Sequence, residues 1–132
     1  MIHELKVQTE QQIQLREVTR EVQRIVEKSG ISDGIALLFV PHTTAAVTIN
    51  ENADPDVVID LVNGLNKLVP LHDNYRHLEG NSAAHIKSSL VGAGEQLIIR
   101  SGQLLLGTWQ GIYFCEFDGP RTRKLLVKLI EG

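Results

Sequence analysis

The stretch GIALLFVPHTTAAVTIN, residues 34–50, decides how this chain folds. Ile35 to Val40 is an unbroken apolar run, the pattern of a strand covered on both faces. The turn Pro41-His42-Thr43-Thr44 breaks it, and Ala46 to Asn50 makes a second strand. A histidine in a polar turn is thereby tied to the ends of two strands, the arrangement in which a rigid scaffold presents a loop for chemistry.

Working toward the N-terminus, Gly30 ends a helical spacing formed by Val18, Val22, Ile25 and Val26. Before it, Leu5 with Val7 and Ile13 with Leu15 alternate with polar neighbours across the polar stretch Thr9 to Gln11, which predicts a hairpin. Toward the C-terminus, Asp54-Pro55 has the form of a cap followed by proline at the first helical position. Val57, Val58, Leu61, Val62 and Leu65 carry that helix to about Leu68. Pro70 to Asn81 holds two His, an Asp, two Asn, a Tyr, an Arg and a Glu, a loop composition. Polar loops of that length in compact domains usually serve a site. Ser82 or Asn81 then caps a short helix to about Leu90, with Gly92 and Gly94 beyond it. Gln96 to Arg100, Gly111 to Phe117 and Lys124 to Ile130 read as three closing strands.

Strands outnumber helices and do not alternate with them regularly, so the expected class is α+β with largely antiparallel pairing, in one domain spanning residues 1–132. Thirteen Lys and Arg against sixteen Asp and Glu leave a net charge of −3, with no basic footprint for nucleic acid or an anionic membrane. No apolar run approaches the ~20 residues that span a bilayer. The opening Met-Ile-His-Glu-Leu-Lys lacks the pattern of a secretory signal, so the expected location is the cytoplasm. Cys115 lies inside the apolar run Ile112 to Phe117 and is expected in the core. Glycine-rich nucleotide-binding motifs and Cys-x-x-Cys are absent.

Chemistry-bearing residues collect in three places. His42, His77 and His85 all lie in loop or helix-start contexts, and three imidazoles plus water make an open catalytic site for zinc or a similar transition metal. Separations of 35 and 8 residues match no local ligand motif, so spacing equally allows ordinary loop and capping histidines. Glu51 and Glu79 are candidates to orient a ligand imidazole or to act as general base. Asn81-Ser82 opens a helix, where unpaired N–H groups favour an anion. Arg121 or Arg123 can clamp a phosphate, or instead form a surface ion pair worth ~0–1 kcal/mol. Trp109, between Gly107 and Gly111, either stacks on a flat ligand or buries apolar area at a bend or subunit contact.

Three runs taken together are more specific than any one. Pro41-His42-Thr43-Thr44-Ala45-Ala46 to Asn50-Glu51, HLEGNSAAH over residues 77–85, and LGTWQGIYFCEF over residues 106–117 leading into Asp118-Gly119-Pro120-Arg121 resemble the YjbQ-like family along essentially the whole chain. That resemblance implies a two-sheet β-sandwich with flanking helices, assembled as a homotrimer. It also implies a pocket gathering His42, His77 and His85, with Glu51, Asn81, Trp109, Gln110 and Arg121 as neighbours, and a secondary thiamine-phosphate synthase activity.

The expectation is a small-molecule enzyme acting on a phosphorylated metabolite. His42, Glu51, His77, Glu79 and His85 form the catalytic set, and His42, His77 and His85 hold a divalent ion. Thr43, Thr44, Asn81, Ser82, Trp109, Gln110 and Arg121 contact substrate. Histidine ligands favour zinc or a similar ion, with magnesium, which prefers oxygen, as the alternative. Two other functions compete: a metal-dependent hydrolase, and a non-catalytic trimeric metabolite-binding protein.

Overall fold

Alternation in Leu5, Val7 and Thr9 turns one side of the first strand inward, but the segment that follows leaves for another sheet. A computed structural model describes residues 1–132 throughout. Its elements are β1 (Ile2–Gln8), β2 (Gln14–Glu17), α1 (Thr19–Ser29), β3 (Gly34–Phe39), β4 (Ala45–Glu51), α2 (Pro55–Leu68), α3 (Ser82–Val91), β5 (Gly94–Arg100), β6 (Gln103–Leu104), β7 (Gln110–Glu116) and β8 (Thr122–Glu131). One sheet has the order β1-β8-β3-β5-β6 and the other β2-β7-β4, with every pairing antiparallel. The architecture is the expected α+β pair of sheets with helices.

The predicted hairpin does not form. β1 pairs with β8 and β2 with β7, so the Thr9–Ile13 connection crosses between sheets. Period-two patterning fixes which side of a strand is buried, not which strand lies beside it. A second correction concerns β3: Ala36 and Leu38 are fully buried, yet Ile35 and Phe39 are 41% and 48% exposed. Its apolar run therefore has one face in the core and one on the open side of the five-stranded sheet.

Val7, Leu38, Ile99, Leu125 and Val127 from the large sheet share a core with Val47, Ile112 and Phe114 of the small one, and Val22 and Val26 of α1 complete it. Each such side chain fully buried contributes ~1.5–3 kcal/mol. The other face of the small sheet, Ala46, Tyr113, Cys115 and Phe117, is covered by Ala84 of α3 and by Val58 and Leu65 of α2. Cys115 is 1% exposed, as expected, and its thiol is pushed up to about 12 by burial, with the Glu95 carboxylate adding to the shift.

The helices begin and end where their capping residues predict. Gly30 closes α1 at φ 75°, a left-handed conformation that favours glycine. Asp54 caps α2 by accepting a hydrogen bond from the Asp56 N–H at 2.9 Å. α3 departs from this rule. Asn81 occupies the cap position and bonds the helix only through its carbonyl; its side chain makes no cap bond and instead donates from Nδ2 to Asp118. No helix is long and apolar enough to cross a membrane.

Candidate functional site

β3 ends at Phe39, and the Val40 N–H donates to Ala93 O at 2.8 Å, which ties the strand exit to the segment between α3 and β5. The turn that follows carries His42 back over β8, where its Nε2 accepts the Lys124 backbone N–H at 3.0 Å. Only an unprotonated Nε2 can accept, so this bond selects neutral His42 with its proton on Nδ1. Electrostatics agree: burial holds the His42 pKa below its ordinary value, and the Arg123 guanidinium pushes it the same way.

Beneath His42 lies a buried polar floor. Arg123 donates through Nε to Glu116 Oε1 at 2.8 Å and through Nη2 to Glu116 Oε2 at 2.5 Å, a bidentate pair. Nη2 also reaches Thr44 Oγ1 at 2.8 Å, and the Thr9 hydroxyl donates to Glu116 Oε1 at 2.8 Å. Burial favours the neutral Glu116 carboxyl, but the bonds from Arg123, the Asp118 N–H and Thr9 outweigh it and hold the pKa below the usual carboxylate range.

The lip is the turn Asp118-Gly119-Pro120-Arg121, with a cis Gly119–Pro120 bond. A Cβ at Gly119 would meet Gln11 O at 2.3 Å, so only glycine fits this approach. Asp118 Oδ2 accepts from Asn81 Nδ2 and from Arg121 Nη2, each at 3.0 Å, and Arg121 Nε donates to Asp118 O at 2.7 Å. Asn81 Oδ1 is left buried with no partner.

Over this floor opens a cleft of about 700 Å³, lined by residues 39–44, His77, Glu79, Asn81, His85, Ala93, Asp118, Arg121 and Arg123. The rings of His77 and His85 meet edge to face with centroids 5.5 Å apart, and Glu79 Oε2 lies 3.9 Å from His77 Nε2. The chain thus brings together His42, Thr43, Thr44, His77, Glu79, Asn81, His85 and Arg121 from four separate segments. The three histidines share the cleft without converging on one point: no three His, Cys, Asp or Glu side chains stand close enough to hold an ion.

Four expected contacts fall elsewhere within the chain. β4 starts at the cleft, where Ala45 pairs with Glu116, and ends where Glu51 pairs with Gln110. Six residue steps at ~3.4 Å put Glu51 and Gln110 roughly 20 Å away. There Gln110 Oε1 accepts the Gly107 N–H at 2.8 Å, the Glu51 carbonyl accepts from Tyr113 Oη at 3.0 Å, and Trp109 is 62% exposed. Ser82 begins α3 but does not line the cleft, whose wall at that point is Asn81. Thr44 does line it, with its hydroxyl oxygen accepting from Arg123.

Glu116, Asp118 and the buried role of Arg123 were not singled out from the sequence, although a signal marks Glu116 and another marks Arg123. Glu116 is a lone carboxylate inside an apolar run, which demands a partner. Arg123 shares the period-two inward face of Leu125 and Val127.

Known proteins match this chain along its length. Bacillus subtilis YugU, named a UPF0047 protein, is 50% identical over 131 residues, covering 98% of this chain and 99% of the relative. A UPF0047 protein of Methanocaldococcus jannaschii is 52% identical over 98% of this chain and 94% of its own length. Among solved structures, an uncharacterized conserved protein of the YjbQ/UPF0047 family from Clostridium acetobutylicum superposes with a TM-score of 0.95 at 55% identity, covering 97% of this chain and 99% of that one. A YbjQ-like protein of unknown function from Sulfolobus solfataricus gives 0.95 at 34% identity, covering 100% and 97%. The profile of the family described as UPF0047 protein YjbQ-like matches residues 3–132, and with these relatives it shows that the chain belongs to that family.

Proposed function

We propose that this protein is an enzyme acting on a phosphorylated small molecule in the cleft of His42, His77 and His85, with a zinc-like divalent ion as its cofactor. The observation that carries this reading is the gathering of three imidazoles with Arg121 and Asn81 at one polar opening. Charge supports the ion. Arg123 is neutralised by Glu116 and Arg121 by Asp118, so a bound phosphate dianion needs further positive charge at the site.

The donor set suits a transition metal in chemistry, being nitrogen-rich, and suits magnesium poorly. His77 and His85, with ring centroids 5.5 Å apart, would supply the first two donors, and Glu79 or His42 would have to move in to complete the set, since no three such side chains stand together. His42 joins them only by giving up the Lys124 N–H. Such an ion, when bound, supplies Lewis-acid charge to a phosphoryl oxygen. The chain's own residues do the rest: neutral His42 donates from Nδ1, and Arg121 offers an anion the guanidinium N–H groups that Asp118 does not take.

Thiamine-phosphate formation is one reaction of this class, since a pyrophosphate departs in it and needs this stabilisation. Trp109 is too far from the cleft of its own chain to stack on the pyrimidine. Hydrolysis is the second reading, favoured by Glu79, a 75% exposed carboxylate side chain paired with no Lys or Arg and able to take a proton from water.

We place the enzyme in the homotrimer that the family resemblance implies. The open face of the large sheet supports this: Ile35 lies in register between Ile98 and Ile130, and Phe39 on the same face also lines the cleft. An uncovered apolar row of this kind is characteristic of a subunit contact.

His77→Ala tests the reading. Transition metal per chain and turnover of phosphorylated substrates, including the thiamine-phosphate pair, are measured on wild type and variant purified without a histidine tag. Wild type should carry about one equivalent, and the variant should lose metal and at least ~100-fold in turnover together. Wild type that takes up no zinc and turns over nothing while binding a phosphorylated ligand identifies a binding protein instead.

A further inference from the structure

Asp118 stands between the buried floor and two arms of the cleft. Its backbone N–H donates to Glu116 Oε2 at 3.0 Å, which seats the residue on the Arg123–Glu116 pair. Its side chain serves the cleft. One carboxylate oxygen, Oδ2, accepts from Asn81 Nδ2 and from Arg121 Nη2, and the backbone carbonyl accepts from Arg121 Nε. Asn81 in turn opens α3, its carbonyl accepting from the N–H groups of Ala84 and His85 at 3.1 and 3.3 Å. A single carboxylate therefore joins the turn that carries Arg121 to the helix that carries His85.

A solvated ion pair between neighbouring residues would need none of this. Such pairs are held loosely and screened by water. Here the Asp118 side chain is only 21% exposed, and the guanidinium is gripped along one edge, at Nε and Nη2. The Arg121 backbone is fixed as well: its N–H donates to Thr9 Oγ1 at 2.8 Å, and its carbonyl accepts the Thr9 N–H at 2.9 Å. What remains free is the tip of the planar fork, where Nη1 and the second hydrogen of Nη2 can meet two oxygens of one anion.

We infer that Asp118 is a positioning residue for anion binding, which acts through Arg121 by holding its fork at a set place relative to His85. A long side chain immobilised beforehand does not lose that freedom when the ligand arrives. The arrangement carries a cost, a negative charge beside the anion, so a role as simple counter-ion and a role in positioning predict different behaviour when the carboxylate is moved without being neutralised. This inference rests on the proposal that the cleft accepts phosphate.

Calorimetric titration with inorganic phosphate of the full chain, purified without a histidine tag, tests both claims and separates them. Asp118→Glu keeps the charge but shifts the carboxylate by one methylene. It should weaken phosphate binding by roughly 3- to 10-fold, the worth of one side chain fixed in advance, at an unchanged thermal midpoint. Arg121→Lys keeps a cation for the phosphate but has no fork to hold, so in that background Asp118→Glu should change affinity by less than ~2-fold. Unchanged affinity in Asp118→Glu makes the residue a counter-ion only, and a loss that persists in the lysine background shows that it does not act through Arg121; either result overturns the assignment and leaves the phosphate site intact. Should the glutamate variant not fold, Asp118→Asn decides. Charge alone makes phosphate bind that variant more tightly, so tighter binding overturns the inference and binding equal to or weaker than wild type supports it. Wild type that does not bind phosphate removes the phosphate reading of the cleft, and this inference with it.

Discussion

Replacing Arg123 with alanine is expected to remove about 3–5 kcal/mol of folding stability, the usual cost of stranding one member of a buried ion pair. Glu116 is fully buried and receives two bonds from Arg123, so the variant leaves a carboxylate with Thr9 and the Asp118 N–H as its remaining donors. Urea unfolding followed by circular dichroism reads the loss as a lower midpoint at unchanged slope. The double substitution Glu116→Leu with Arg123→Met should recover much of it, because an apolar pair of similar volume carries no desolvation penalty. A loss under ~1 kcal/mol in the single variant removes the pair from any role in holding the floor.

The same pair dictates how the protein responds to acid. Glu116 has a folded pKa below its ordinary 4.5, so its contribution is complete above that value and disappears as pH falls through the folded one. Wild type should therefore lose stability on acidification below about pH 4.5, and Arg123→Ala should show a much smaller slope there.

Ile35→Glu is expected to break the proposed homotrimer. Ile35, Ile98 and Ile130 are 41%, 59% and 46% exposed in the single chain and stand opposite one another on three adjacent strands. A carboxylate set among them costs several kcal/mol to desolvate against another subunit and almost nothing to leave in water. Light scattering should give wild type the mass of three chains and the variant that of one, with subunit affinity weakened more than ~100-fold. Wild type running as a single chain removes the trimer. A variant that stays assembled moves the contact to another face. Because Phe39 belongs both to this face and to the cleft, dissociation should also raise KM.

How much of this was legible beforehand depended on whether a signal was local. Asp54-Pro55 and Gly30 predicted helix limits because a cap acts within one turn of chain. Strand partners were not legible: Leu5 with Val7 and Ile13 with Leu15 had the look of a hairpin, yet Val7 pairs with Arg123 and Leu15 with Cys115. The apolar run predicts Phe39 and Ile35 buried, because an unbroken run does not say whether a second layer covers its outer face.

In the site, the grouping of His42, His77 and His85 came from resemblance, since spacings of 35 and 8 residues encode no geometry. The same resemblance grouped Glu51, Trp109 and Gln110 with them, whereas one chain holds these at the opposite end of β4 and β7. The buried network was hidden for another reason. Arg123 and Glu116 are inward-facing charges whose pairing depends on two strands of different sheets.

The sulfur of the one cysteine gives the molecule a built-in reporter. Only the thiolate attacks alkylating reagents, displacing their halide, and Cys115, closed off beneath α3 with a thiol pushed up to about 12, offers almost none. Capture of iodoacetamide at neutral pH should therefore proceed only through molecules whose helical layer has opened. Its rate would measure that opening directly, and the native protein should keep its thiol unmodified in air without added reductant.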